Sequence, residues 1–131
     1  MSAVAMRAVD TNGLVRLLAR DHARQTDAAE AFIASGAWVS HLVLAETIWV
    51  LDSVYGLGPA QLANAIELLL EHRDLAIQDA DVVARALGQF RGRPALGFSD
   101  CLVLAIARQA GHLPLGTLDR ELSRLDGAER V

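Results

Sequence analysis

At 131 residues the chain lies near the commonest size for one domain and can bury a substantial core, so a single domain spanning residues 1–131 is expected. Its hydrophobic fraction is 53%, but charged residues break the apolar stretches, and none reaches the roughly 18 residues of a membrane span. A net charge of −4, with all twelve basic residues arginine, excludes a global electrostatic footprint for nucleic acid; local arginines or bridging metal ions would have to hold one.

The opening MSAVAMRAVDTN has no basic start, long apolar stretch or cleavage site, so it does not read as a signal peptide. Cys101 stands alone, which excludes an internal disulfide and, with the missing signal, favours a reducing cytoplasm. Its apolar helical surroundings predict a core-packing role.

In chain order, Val4 to Val9 reads as a first strand with Asp10 at its carboxyl end, followed by a helix through VRLLAR after Asn12. His22 to Ala34 has a one-sided apolar face and ends at Gly36. Ala37 to Ser40 is a short second strand, and Leu42 to Tyr55 a strongly apolar helix before the Gly56 and Gly58-Pro59 turn. Pro59 to His72 repeats apolar residues at helical spacing, and Leu75 to Gln78 is the next strand. Asp79 or Asp81 caps a helix through Phe90, RGRPALGF forms a basic loop, and Ser99 to Ala110 is a helix stopped by Gly111. Leu113 to Leu118 is a strand, Asp119 to Leu125 a short helix, and Ala128 to Val131 an edge strand. Short strands alternating with helices predict an α/β fold, a mostly parallel central sheet covered on both faces. In such sheets the ligand site lies beyond the strand carboxyl ends.

Four acids interrupt apolar or turn-forming sequence: Asp10, Glu46, Asp100 and Asp119. A carboxylate in apolar surroundings is costly unless it is paired, hydrogen-bonded or bound to a cation, so four of them point to a shared metal site. Helix capping competes at Asp10, Asp100 and Asp119, which all lie near helix starts. Glu46 lies in a helix with only a narrow polar stripe, which favours a buried functional role over a solvated face. Carboxylates without cysteine or histidine neighbours suit hard Mg²⁺ or Mn²⁺ and suit zinc poorly. His22, His41, His72 and His112 fit no metal-ligand spacing and read as surface or capping residues, His41 least securely because it directly precedes the Glu46 helix. No G-x-S-x-G, Cys/His pairing, P-loop or GxGxxG is present, which removes the usual signs of nucleophilic catalysis and of nucleotide binding.

The strings AVDTNGLVRLLARD, LVLAETIWVLDSVYGL, FSDCLVLAIARQAG and GTLDREL, in that order, resemble a PIN-domain ribonuclease, and more narrowly the VapC toxins of type II toxin–antitoxin pairs. The resemblance runs from about Arg7 to Val131. It implies a PIN-like three-layer α/β/α sandwich, with Asp10, Glu46, Asp100 and Asp119 as both the catalytic and the metal-binding acids. Asn12 and Thr117 match supporting positions: the former bonds a neighbouring carboxylate or stabilises the turn, the latter orients Asp119 or a water, and turn formation is the ordinary explanation of each. Leu118 departs from a frequent phenylalanine and Glu121 from a common basic residue; neither removes a ligand.

The implied activity is Mg²⁺- or Mn²⁺-dependent hydrolysis of RNA phosphodiester bonds. The metal would hold a scissile-phosphate oxygen, activate water and stabilise the leaving oxygen, while Glu46 binds metal or positions that water. The resemblance also implies a VapB-like antitoxin and a homodimer, to which Trp49, Tyr55 and Leu57 would lend apolar surface, although core packing is the stronger expectation for Trp49. Arg16, Arg20, Arg91, Arg93 and Arg120 are candidates for holding the RNA backbone. Rival readings are a PIN-domain RNA-processing or DNA nuclease and a catalytically silent PIN binding module. Aspartyl-phosphate chemistry of the haloacid-dehalogenase or receiver kind needs a lysine near the phosphate, and the chain has none.

Overall fold

The computed structural model describes residues 6–131. The chain divides after Gln78 into two compact units. In the first, β1 (Arg7–Ala8), β2 (Ala37–Val39) and β3 (Leu75–Ile77) form a parallel sheet in the order β1-β2-β3, with Ala37 opposite both Arg7 and Leu75. The expected first strand from Val4 to Val9 is observed only at Arg7–Ala8; its residues before Met6 lie outside the described part.

Helices make the crossovers that parallel strands require. α1 (Thr11–Ala19) and α2 (Ala23–Ile33) join β1 to β2, and α3 (His41–Ser53) and α4 (Pro59–Glu71) join β2 to β3. Their boundaries follow local chemistry. His22 Nδ1 accepts the Gln25 N–H at 3.1 Å to start α2, and Ser40 Oγ accepts the Val43 N–H at 3.1 Å to start α3. Pro59 opens α4, where its missing N–H costs no helical bond. The His41 N–H donates to Gln78 Oε1 at 2.9 Å, tying the start of α3 to the end of β3. Leu14, Ile33, Val39, Leu44, Leu51, Ile66 and Leu69 are fully buried and form this unit's core.

The second unit is a helical hairpin followed by a small βαβ turn. α5 (Ala80–Gly92) and α6 (Phe98–Ala110) pack together over Val83, Ala86, Cys101 and Leu104, with Phe90 edge-on to Phe98 at 6.2 Å. β4 (Leu115–Thr117), α7 (Arg120–Ser123) and β5 (Ala128–Arg130) follow, the two strands pairing in parallel. Gly111, at φ +82°, ends α6 in the left-handed conformation that glycine adopts freely. Arg108 then donates to the Asp126 carbonyl at 2.7 Å, holding the approach to β5 against the end of α6.

The α/β class and parallel pairing are as expected, and every pairing among the described residues is parallel. The strands form a three-stranded and a two-stranded ladder, one in each unit. Of the two expected caps, Asp79 does occupy the N-cap of α5, but its φ is +41° and its side chain makes no capping bond, while Asp81 lies inside the first turn. The predicted RGRPALGF loop supplies the last turn of α5 and a 3₁₀ turn over Pro94–Leu96.

Candidate active site

Asp10 follows β1 in an extended conformation and caps α1, its Oδ1 accepting the Gly13 N–H at 2.9 Å. The turn is tight: a Cβ on Gly13 would lie 2.5 Å from Val9 Cγ2 and 3.4 Å from Asp10 Oδ1. Only glycine lets the helix start this close to the strand end and so hold Asp10 where it is. Thr11, the first residue of α1, donates its hydroxyl to Glu46 Oε2 at 3.2 Å. The Glu46 carboxylate is thereby brought to the turn that carries Asp10. Asn12 is exposed beside them. Reading the sequence singled out Asn12 and missed Thr11; the D-T-N string held the clue, but a bond across 35 residues is set by how α3 packs on α1.

Glu46 corrects its expected burial, because its side chain is exposed. The inference failed because α3 is apolar nearly all round and exposes more than a polar stripe: Leu42 is 68% and Trp49 64% accessible. Trp49 is thus not a core residue either. Tyr55 is held by polar bonds, donating to Asp21 Oδ2 at 2.8 Å while Arg16 donates to its hydroxyl at 3.3 Å. The Tyr55 bond, more than the neighbouring Arg16, keeps the Asp21 carboxyl below its usual range.

The other two acids lie in the second unit. Asp100 is in the first turn of α6, half-buried. It is not the N-cap, which is Gly97, so the capping explanation fails for Asp100 while it holds for Asp10 and Asp119. Burial pushes its carboxyl above the ordinary range, and the negative charge of Asp119 pushes it further. Asp119 Oδ1 accepts the Leu122 N–H at 2.8 Å, capping α7, and its own N–H donates to Thr117 Oγ1 at 3.0 Å. Thr117 therefore orients Asp119 through the main chain. Cys101 is fully buried, and burial together with the adjacent Asp100 charge drives its thiol up to about 11, in keeping with a packing role.

The structure therefore assembles the acids in pairs, Asp10 with Glu46 and Asp100 with Asp119. Among the described residues no group of three or more His, Cys, Asp or Glu side chains is gathered to hold a metal ion. The donor chemistry nonetheless fits a hard cation. All donors are carboxylate oxygens, and Mg²⁺ is commonly held by one or two carboxylates with water and substrate phosphate completing its shell. The repulsion felt by Asp100 is what a divalent cation would relieve.

The histidines behave as expected where they are bonded: His22 caps α2, and His72 Nδ1 accepts the Asp74 N–H at 3.1 Å. His41 Nε2 is buried without a partner among the described residues. Of the candidate arginines, Arg16 is held within the protein, donating to Gln25 Oε1 at 2.6 Å, Asp21 Oδ1 at 3.0 Å and Tyr55, and Arg20 pairs with Glu30. Arg93 and Arg120 are exposed.

The chain belongs to the PIN domain family, whose model matches residues 7–128. Comparison with curated proteins and with solved structures gives no match. Membership establishes the PIN-like α/β fold class and points to nuclease chemistry on a nucleic acid, a chemistry for which PIN domains typically use divalent metals such as Mg²⁺. No helix among the described residues is long and apolar enough to cross a membrane.

Proposed function

We propose that this protein is a cytoplasmic, Mg²⁺- or Mn²⁺-dependent endoribonuclease of the VapC toxin type, a homodimer whose activity a VapB-like antitoxin holds in check. The observation that carries the reading is the family match over residues 7–128, within which Asp10, Glu46, Asp100 and Asp119 all fall.

In this mechanism Asp10 and Glu46, and Asp100 and Asp119, would hold divalent metal, which would supply charge neutralisation at the scissile phosphate and activation of the attacking water. The chain's own residues set the positions. Gly13 fixes Asp10 through its N–H, Thr11 holds Glu46 by its hydroxyl, and Thr117 fixes the main chain of Asp119. Glu46 is exposed and keeps an oxygen that Thr11 does not use, so it is free to bind metal or to position the attacking water. Burial and then the charge of Asp119 both oppose ionisation of Asp100, an opposition that a bound cation would relieve.

The deciding experiment is cleavage of a cellular RNA pool by purified protein in Mg²⁺, Mn²⁺ or EDTA, beside Asp10→Asn and Asp100→Asn. Cleavage is expected with either metal and is expected to be lost in EDTA and in both variants; activity that persists in EDTA or in both variants sinks the mechanism. The toxin role predicts growth arrest on expression, relieved by Asp100→Asn, and a short neighbouring reading frame encoding a DNA-binding antitoxin. Cleavage without that frame or that arrest would move the protein to RNA processing.

A further inference from the structure

Within the first unit a recess of about 510 Å³ opens directly beside Asp10, between the start of α1 and the outer face of α2. Its volume falls in the range of about 300–1,000 Å³ usual for ligand pockets. One wall is Asp10 and Asn12; the other is Ala28, Ala29 and the ring of Phe32, with Gln25 at the rim. The surface is mostly apolar, which does not suit a phosphate and does suit a flat, weakly hydrated ring.

Three features fit the recess to a nucleobase. The first is an aromatic side chain held in place: Arg7 lies 3.9 Å over the Phe32 ring centroid and donates to Ser35 Oγ at 3.1 Å, so the ring is braced before any ligand arrives. Stacking on aromatic rings is the general means of holding unpaired bases. The second is the small side chains of Ala28 and Ala29, which leave room on α2 where larger residues would fill the slot. The third is the polar rim. Gln25 Oε1 is occupied by Arg16 at 2.6 Å, which turns the Gln25 amide N–H₂ away from that bond, and Asn12 presents a second amide; such groups read base edges by donating and accepting. Arg16 is fixed by its own partners and supplies the rigid back of the site.

We infer that this recess is a base-binding subsite, which holds one unpaired nucleobase next to the phosphate cleaved at Asp10 and sets a preferred base at one fixed place beside the cut. The inference rests on the ribonuclease reading above. A base paired within a duplex cannot enter the slot, because it would have to leave its stack.

The test uses short single-stranded RNAs in Mg²⁺, each containing the preferred cleavage site and one abasic nucleotide, moved position by position across the cut. With wild-type protein the abasic substitution should lower kcat/KM about tenfold at one position and little elsewhere, in line with the loss of one stacked base. Ala28→Trp fills the slot from an exposed position on α2, and Phe32→Leu removes the ring; each should erase the difference between intact and abasic RNA, with melting temperatures checked for both. An annealed duplex of the same sequence should resist cleavage. Equal cleavage of every abasic substrate, equal cleavage of the duplex, or folded variants that keep the wild-type abasic penalty would each overturn the subsite while leaving the ribonuclease intact. Absence of any Asp10-dependent cleavage would instead overturn the ribonuclease reading, and the subsite with it. Should both variants fail to fold, the abasic series on wild-type protein decides alone.

Discussion

At the scale of single residues the informative group is Asp100. Its carboxyl titrates above the ordinary aspartate value because burial and Asp119 both disfavour its charge. The folded state therefore holds this proton more tightly than the unfolded chain does. Above the folded pKa the charged group weakens the fold; as pH falls through that pKa the deficit closes, and below the unfolded value of about 4 it is gone. Asp100→Asn should accordingly melt at a higher temperature than wild type at pH 7–8 without metal, and the gap should vanish towards pH 4, as read by thermal denaturation across pH. The same variant is expected to lose cleavage, so that stability and activity move in opposite directions. Cys101 gives a second residue-scale outcome. Fully buried and with its thiol up to about 11, it should resist alkylation at pH 8 until the protein unfolds, so the labelling rate will follow global opening. Gly13→Ala places a Cβ 2.5 Å from Val9 Cγ2 and should cost about 1–3 kcal/mol by overpacking. Val9→Ala should restore part of that loss in the double variant, and a denaturant-unfolding cycle would show the coupling.

At the scale of elements, two helix starts that look alike in sequence behave differently. Ser40 caps α3 through its hydroxyl, so Ser40→Ala should cost about 1 kcal/mol in urea unfolding. Asp79 stands at the corresponding place before α5 with φ at +41° and no capping bond. Asp79→Gly should therefore be neutral or stabilising by up to about 1 kcal/mol, since glycine adopts that conformation without strain and no cap is lost. Helix and strand positions were largely legible: the spacing of Leu62, Ala65, Ile66 and Leu69 is the buried face of α4, and Gly111 ends α6 where expected. α3 departs from expectation in its faces rather than its extent. A run such as LVLAETIWVL specifies a helix, but not which of its apolar residues a neighbour will cover, and Trp49 and Glu46 were both assigned the wrong environment.

At the scale of the whole molecule the proposed ligands come as two pairs, one in each unit. A divalent ion that binds either pair in the folded chain stabilises it by mass action, by about 2.7 kcal/mol at a free concentration one hundred times the dissociation constant. Mg²⁺ should raise the melting temperature of wild-type protein and EDTA should reverse the rise, while Asp100→Asn should show a much smaller shift. An equal response in both proteins would place the ion elsewhere.

The amino-acid sequence determined the α/β class, the parallel strand pairing and the family, because alternating short apolar strands and amphipathic helices, with four motifs in order, are local properties of the chain. It also singled out four acids as candidates. What tertiary structure decided is how those acids are held: the Thr11 hydroxyl on Glu46, the Asp119 charge acting on Asp100, and the slot between Asn12 and Phe32 beside Asp10. Each depends on residues distant in sequence meeting at short range. Such contacts are set by the packing of one element on another, and no spacing within a single element encodes them.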